Sequence, residues 1–295
     1  MLYPIFRRRF IAAALAALAL GPSPARAVEP ITILTQQDVY NDYQRFIGKR
    51  NPLTLSHFAG EGSRRDVVEL VLVQQALALG GLSRPVKLVK VDNNSDSYTR
   101  YLKEILSGNA TMGGNSAWQI DLKSIDDKIY ISSPLIRQGE FEAGLYTSPD
   151  NKKALAARSL DDVRQLTAVV ADSWKPDVAT LEGLKLNQLL QTQSWDSMVG
   201  MVEKGRADVL LAPFQPTADM SLTLGEYSLV PIPNVKVGLA GSRHLFVSRS
   251  APHGAETFDA LEKGLAKLRA KGTIEQAYKE SGFFNARTQT WLKIN

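Results

Sequence analysis

The pattern that most limits what this chain can fold into is a strand–helix alternation that runs between residues 53 and 108 and starts again near residue 159. Leu53 to Phe58 reads as a strand, and Ser63-Arg64-Arg65-Asp66 reads as a capping-box-like start for an apolar helix to Leu79, stopped by Gly80-Gly81. Val86 to Val91 is a second strand. Tyr98, Tyr101, Leu102, Ile105 and Leu106 then recur at i, i+3, i+4, i+7 and i+8, one face of a helix closed by Gly108. Downstream, Ser159-Leu160-Asp161-Asp162 opens a short helical turn and Leu166 to Ala171 is a strand. Leu181 and Leu184 sit in a helix, Ser194 to Lys204 is another stopped by Gly205, and Val209 to Ala212 leaves it as a strand. A helix from about Thr257 carries Leu261, Leu265 and Leu268 on one face, and Thr273 to Gln276 offers a capping box for one more. Strands alternating with helices build a parallel sheet covered by helices, so two such runs predict two α/β lobes. Residues 28 to about 50 carry few regular signals and read as a peripheral lead-in.

The first 27 residues read as an export address. Arg7, Arg8 and Arg9 form a positive start, Ile11 to Leu20 an apolar stretch, and Ala25-Arg26-Ala27 fits a small-x-small cleavage site. That stretch is too short for a bilayer core of ~30 Å, and no later one approaches the ~20 apolar residues of a span. The expectation is a soluble periplasmic protein with no membrane insertion, exported by the Sec or the twin-arginine route. Arg7-Arg8-Arg9-Phe10-Ile11 resembles the twin-arginine motif, although Phe6 stands where Ser or Thr is usual. Arg7, Arg8, Arg9 and Arg26 account for most of the formal net charge of +5, so a nucleic-acid partner loses its main support. The absence of cysteine excludes disulfides, a thiol nucleophile and a Cys-linked lipid anchor.

Four segments in order carry a resemblance. They are Tyr98 to Trp118, a helix followed by a small-residue strand; Ser132-Ser133-Pro134-Leu135 with Gly139 and a crossing strand near Glu142 to Thr147; Ser159 to Val163 followed by Met198 to Val209, which ends Gly205-Arg206-Ala207-Asp208; and Gly241 to Val247 as a return strand before the terminal helices. Together they resemble the type 2 periplasmic binding proteins, in particular the family 3 extracellular solute-binding group, over about residues 53 to 285. The resemblance implies lobe one from 28–143 plus 245–295, lobe two from 147–241, hinges near 144–146 and 242–244, and a ligand between the lobes. Gly144 and Gly241 are hinge-adjacent or simply turn residues. Amino-acid-binding members of that family usually have an Arg shortly before the Ser-Pro turn and an Asp four residues beyond the Gly-Arg-x-Asp motif. Here Gln119 to Tyr130 holds no Arg and the second position is Ala212. The resemblance therefore implies the fold without implying an α-amino acid held in the usual way.

Ligands of open α/β lobes bind where loops leave the carboxyl ends of strands. Four loops meet that description: Ala59 to Arg65 with Glu61 and Arg64, Gly113 to Trp118 with Asn115, Ser116 and Trp118, Asp172 to Lys175 with Ser173 and Trp174, and Pro213-Phe214 with Phe214. Arginine suits a carboxylate or phosphate, and the indoles suit stacking. The alternatives are helix capping for the polar residues and core packing for the aromatic ones. Trp195 reads as packing and Trp291 as an anchor for the C-terminus. His57, His244 and His253 lack metal-ligand spacing, and neither a G-x-S-x-G elbow nor a phosphate-binding loop is present, so no cofactor or metal is expected. The leading expectation is a monomer that binds a small molecule for an ABC-type membrane transporter or a sensor. The alternatives are a dehydratase-like periplasmic enzyme, with Glu61 and Asp172 as an acid–base pair, and an interaction protein without a ligand.

Overall fold

A computed structural model describes residues 28–92, 97–215 and 217–295, so the expected export segment and the side chain of Tyr98 lie outside the described residues. The first half contains β1 (Ile31–Gln36), α1 (Gln37–Ile47), α2 (Arg65–Leu79), β2 (Val86–Val91), α3 (Ser97–Leu106), β3 (Met112–Gly113), β4 (Ala117–Trp118), α4 (Gln119–Leu122) and β5 (Ile129–Ile136). The chain then crosses through β6 (Glu142–Thr147) to α5 (Lys152–Leu155), α6 (Leu160–Arg164), β7 (Thr167–Ala171), α7 (Lys175–Leu184), β8 (Gln188–Thr192), α8 (Trp195–Glu203) and β9 (Val209–Pro213). After β10 (Leu222–Leu224), β11 (Tyr227–Pro231) and β12 (Val235–Gly238) it returns through β13 (Arg243–Ser248) to α9 (Gly254–Ala270), α10 (Thr273–Glu280) and β14 (Leu292–Lys293).

These elements form two mixed sheets flanked by helices, the two-lobed α/β architecture. The first sheet runs β2-β1-β3-β13-β4, with β5 also on β13. The second runs β10-β11-β6-β9-β7-β8, with β12 on β6 and β14 on β12. Both repeat one plan. Three parallel strands (β2, β1, β3 and β8, β7, β9) are followed by an antiparallel strand that arrives from the other lobe, β13 in the first sheet and β6 in the second. The loops at the carboxyl ends of the parallel strands, and the two crossings, therefore converge on one junction. The chain meets the second sheet once more at its end, because β14 pairs with β12 through Val235 and Leu292. Arg287 reinforces this strap by donating to the carbonyls of Ala218 (2.5 Å) and Thr217 (2.8 Å).

Helix α2 is buried on all sides, every residue from Val67 to Leu77 lying between the first sheet and its neighbouring helices. It approaches α9 almost backbone to backbone. A Cβ at Gly264 would lie 1.8 Å from the Ala76 carbonyl oxygen, so no other residue fits there without moving a helix. Asp208 of the Gly205-Arg206-Ala207-Asp208 run is structural. Its carboxylate accepts from Thr167 N at 2.8 Å and Asn151 Nδ2 at 3.0 Å, pinning the entry of β9 to that of β7.

Three sequence expectations are corrected. The segment from Leu53 to Phe58 is not a strand: Pro52–Thr54 is a 3-10 turn capped by the Asn51 side chain, and Leu53 is exposed. The first strand is instead β1, inside the segment read as a lead-in. There Ile31, Ile33 and Leu34 are buried, and α1 presents Val39, Tyr43, Phe46 and Ile47 on one face. Neither proposed capping box forms at α2 or α10. Ser63 turns its hydroxyl back to the Phe58 carbonyl, leaving Arg64 as the N-cap of α2, and Gly272 is the N-cap of α10. Among the described residues, no helix is long and apolar enough to cross a membrane.

Candidate functional site

At the junction of the sheets lies a cleft of about 420 Å³ with walls from both lobes. The first lobe contributes Arg65 from the start of α2, Trp118 from the end of β4, Asp121 from α4 and Arg243 from the start of β13. The second contributes Ser173, Trp174 and Asp177 around the start of α7, Trp195 at the start of α8, and Leu211 to Pro213 at the end of β9. Phe141, beside the first crossing, closes the back. A hollow of about 290 Å³ shares Arg65, Trp118, Asp121 and Arg243 with the cleft, and extends it over Gln36, Asn115 and Ser116 into the first lobe. The combined space is of the size that holds small molecules.

The first-lobe wall is organised around Glu69, which is fully buried in α2. Its carboxylate accepts from Ser116 N and Ser116 Oγ, both at 2.8 Å, and from the Tyr278 hydroxyl at 2.9 Å. Burial, with the adjacent Glu69 charge, pushes the Tyr278 phenol well above its ordinary range, so it stays a donor. Ser116 in turn holds Arg243, which donates from Nε to Ser116 Oγ at 3.1 Å and from Nη2 to the Ser116 carbonyl. The Arg243 guanidinium lies 4.9 Å from the centre of the Trp118 ring. Asn115 bridges Asp66 O at 2.7 Å and Thr35 Oγ1 at 3.4 Å.

The two arginines of this wall differ in their partners. Arg65 pairs with Asp66 at 2.7 Å and lies 3.6 Å from Glu69, yet its buried Nη1 has no hydrogen-bond partner. Burial pulls Arg65 down, but Asp66 and Glu69 outweigh it and leave its pKa raised. Arg243 has no carboxylate within ion-pair distance among the described residues. Burial, followed by the like charge of Arg65, lowers it to about 10. On the facing wall burial raises the Asp177 carboxyl to about 6, and the charge of Arg243 partly opposes that rise. Asp177 likewise has no cation at ion-pair distance among the described residues. The cleft thus places one uncompensated cation and one uncompensated acid on opposite walls, with indoles on each side. Trp174 and Trp195 stack on one another with centroids 5.8 Å apart, and Trp118 leans on Phe141 at 5.4 Å.

The structure brings five of the sequence-derived candidates to this space: Asn115, Ser116, Trp118, Ser173 and Trp174. Three stand apart. Glu61 is in an exposed turn and lines neither hollow. Arg64 is tied to Asp38 and Asp42 at 2.7 Å and to Asp66 at 3.0 Å, because the helix starts one residue later than the capping pattern suggested and turns Arg65 inward instead. Phe214 follows Pro213 at the rim but faces away from the cleft, edge-on to Trp291 with centroids 5.3 Å apart. Sequence reasoning included Arg65 in the first candidate loop but singled out Arg64; it missed Asp121, Asp177 and Arg243, and it read Trp195 as packing. Arg243 falls within Gly241 to Val247, read as the return strand, but nothing local marks it as a site residue.

No sequence-family model matches the chain, and no curated protein resembles it closely enough in sequence to count as a relative. Solved structures do resemble it. The second substrate-binding domain of Lactococcus lactis GlnP, in an open conformation, is 14% identical; the match covers 88% of this chain and 97% of that one at a TM-score of 0.51. The periplasmic VFT2 domain of Bordetella pertussis BvgS is 15% identical over 84% and 91%, at 0.51. The probable amino-acid ABC transporter extracellular-binding protein ytmK of Bacillus subtilis is 12% identical over 85% and 96%, at 0.55. At such identities the resemblance concerns architecture alone. Taken with the repeated strand plan and the doubly crossed junction, it shows that this chain has the type 2 periplasmic-binding-protein fold.

Proposed function

We propose that the chain is a periplasmic solute-binding protein that captures a small organic acid non-covalently between its lobes, for an ABC-type transporter or a sensor. The observation that carries this reading is Arg243, a guanidinium held by Ser116 and stacked on Trp118, without an acid partner among the described residues, at the boundary of both hollows. A carboxylate bound there restores the missing charge through a two-pronged hydrogen bond, and Arg65 Nη1 is a further donor beside it. Asp177 on the facing wall suits a donor group of the same ligand, and the indoles suit an apolar or flat body. The reading replaces the family's usual anchors, absent between Gln119 and Tyr130 and at Ala212, with residues from other elements. The names of the structural neighbours, a substrate-binding domain and a transporter's extracellular binding protein, support solute capture.

In this reading residues 1–27 direct export, and the protein works as a monomer. Residues 28–143 with those from 245 form lobe one, and 147–241 form lobe two, hinged near 144–146 and 242–244. The last residues, from about 285, strap back onto lobe two. Closure of the lobes would enclose the ligand. Nothing in the geometry favours the enzyme alternative through Glu61 and Asp172, since both are exposed and neither lines the cleft. The test is a thermal-shift screen over organic acids and amino acids, followed by calorimetry and small-angle scattering. A saturable ligand that compacts the protein and loses affinity in Arg243→Gln is expected. No shift with any compound, together with no small molecule retained in native mass spectrometry of protein purified from its own periplasm, overturns the proposal.

A further inference from the structure

The described residues enclose a further hollow besides the cleft. It measures about 690 Å³ and lies on the other side of the crossing, walled by Gln138 to Glu140 with Glu142, by Tyr278 and Lys279 of α10, and by Phe283 to Ala286 with Gln289 and Lys293. Chain neighbours are divided between the two spaces. Phe141 faces the cleft and Glu142 faces this hollow; Pro213 faces the cleft and Phe214 the hollow. The dividing wall is two rings thick, for Phe141 on the cleft side meets Phe283 on the other edge-on at 4.8 Å.

Its chemistry is amphipathic with an excess of positive charge. Phe214, Phe283 and Phe284 give an aromatic surface beside Ile274. Four cations line it against three acids. Arg137 pairs with Glu140 (3.7 Å), Lys279 with Glu275 (2.7 Å) and Lys293 with Glu142 (3.2 Å). Glu142 is shared, since the buried Lys236 also reaches it at 2.7 Å. Arg269 is left over. It donates through Nη2 to the carbonyls of Pro134 and Leu135, and has no acid at ion-pair distance among the described residues. Burial, then the nearby charge of Arg137, lowers its pKa. A guanidinium desolvated beside another and facing an aromatic surface is best neutralised by an anion that carries rings.

From this arrangement we infer that the hollow behind the crossing is a second ligand site, separate from the cleft, for a compact aromatic anion held by Arg269 and Arg137 against Phe283 and Phe284. The four tryptophans allow a direct test. Trp118, Trp174 and Trp195 line the cleft, whereas Trp291 packs on Phe214 at the second site. The probe is 1-anilinonaphthalene-8-sulfonate, added to protein labelled with 5-fluorotryptophan, with the Trp291 resonance assigned through Trp291→Phe. The expected result is a saturable shift of the Trp291 fluorine signal, with the other three nearly unmoved. Arg269→Gln should weaken the probe at least tenfold. Arg137→Gln, which leaves the bonds to Pro134 and Leu135 intact, should weaken it several-fold and covers the case in which the first variant does not fold. Movement of the cleft tryptophans alone, absence of any saturable shift, or full probe affinity in both arginine variants would each overturn the inference.

Discussion

On the first-lobe wall of the cleft almost every polar group is already bonded within the protein, whereas on the facing wall the side chains of Ser173 and Asp177 bond to no other side chain among the described residues. Glu69 has three donors, Asn115 has both ends of its amide engaged, and Arg243 is gripped at two nitrogens by one serine. Across the gap, Trp174 stacks on Trp195 and is among the exposed large apolar side chains. A donor held in place before the ligand arrives loses little entropy on binding. A wall whose groups are free makes its contacts only when something bridges to it. The first lobe is therefore the natural docking surface and the second the closing one, and each substitution below tests that asymmetry.

The largest effect is expected at Glu69. Glu69→Ala strands the Ser116 amide, the Ser116 hydroxyl and the Tyr278 phenol in a dry interior and leaves Arg65 and Arg243 as neighbouring buried cations. Removing one member of such a network costs about 3–5 kcal/mol, a fall of roughly 10 °C in melting temperature. Scanning calorimetry reads it. A loss below ~1 kcal/mol would mean that the first-lobe wall is not preassembled.

Arg243→Gln comes next, and its effect should fall on binding rather than folding. Glutamine keeps a hydrogen bond to Ser116 but gives up the charge, so affinity for an acidic ligand should drop roughly 30-fold or more, about 2–3 kcal/mol. Stability should hold or rise, because a cation that burial and Arg65 both disfavour has been removed. Calorimetric titration beside a melting curve separates the two effects.

Asp177 tests the open wall and has a definite sign in pH. Its carboxyl titrates near 6 in the folded chain against an ordinary value of 3.8, so between those values the folded state binds more protons than the unfolded one. Stability contributed by the protonated form is complete below about pH 4 and declines as pH rises towards 6. Asp177→Asn should remove that decline and leave the ligand-free protein about 1–2 kcal/mol more stable than the parent at pH 7, a figure reduced for the carboxyl's partial access to water. Denaturant titrations at several pH values check it. Parallel pH profiles for parent and variant would show that Asp177 is already neutralised by the protein.

The same asymmetry explains what could be read from the sequence. Helices α2 and α8 and strands β2, β7 and β9 announce themselves by local pattern, since burial of one face or of both writes a period into the chain. Strand β1 was lost because Ile31 to Gln36 passes directly into α1, with no turn signal between strand and helix to mark its end. Placing the first strand at Leu53 instead moved the candidate loop to Glu61 and Arg64. The open wall was legible at Ser173 and Trp174, which follow a recognisable strand. Arg243 was not, because its role depends on pairing across the sheet, where it sits opposite Trp118 from a part of the chain more than a hundred residues earlier. Asp177 looks like an ordinary first-turn acid until the fold shows it shielded from water and facing a cation.

The smallest expected effect is also the sharpest comparison, because it concerns two adjacent residues. Arg64 and Arg65 have the same chemistry, but the helix begins between them. Arg64, the N-cap, leans outward onto Asp38, Asp42 and Asp66 with its side chain 36% exposed, while Arg65 turns inward with an unsatisfied Nη1 at the cleft. Exposed ion pairs contribute little, so Arg64→Ala should cost at most about 1 kcal/mol and leave ligand affinity unchanged. Arg65→Ala should weaken binding of the acid several-fold, by removing a donor and half of the positive charge on that wall. Calorimetric titration of both variants against the same ligand decides the matter. If Arg64→Ala weakens binding and Arg65→Ala does not, the ligand lies on the outer face of α1 and α2, and the cleft is not its site.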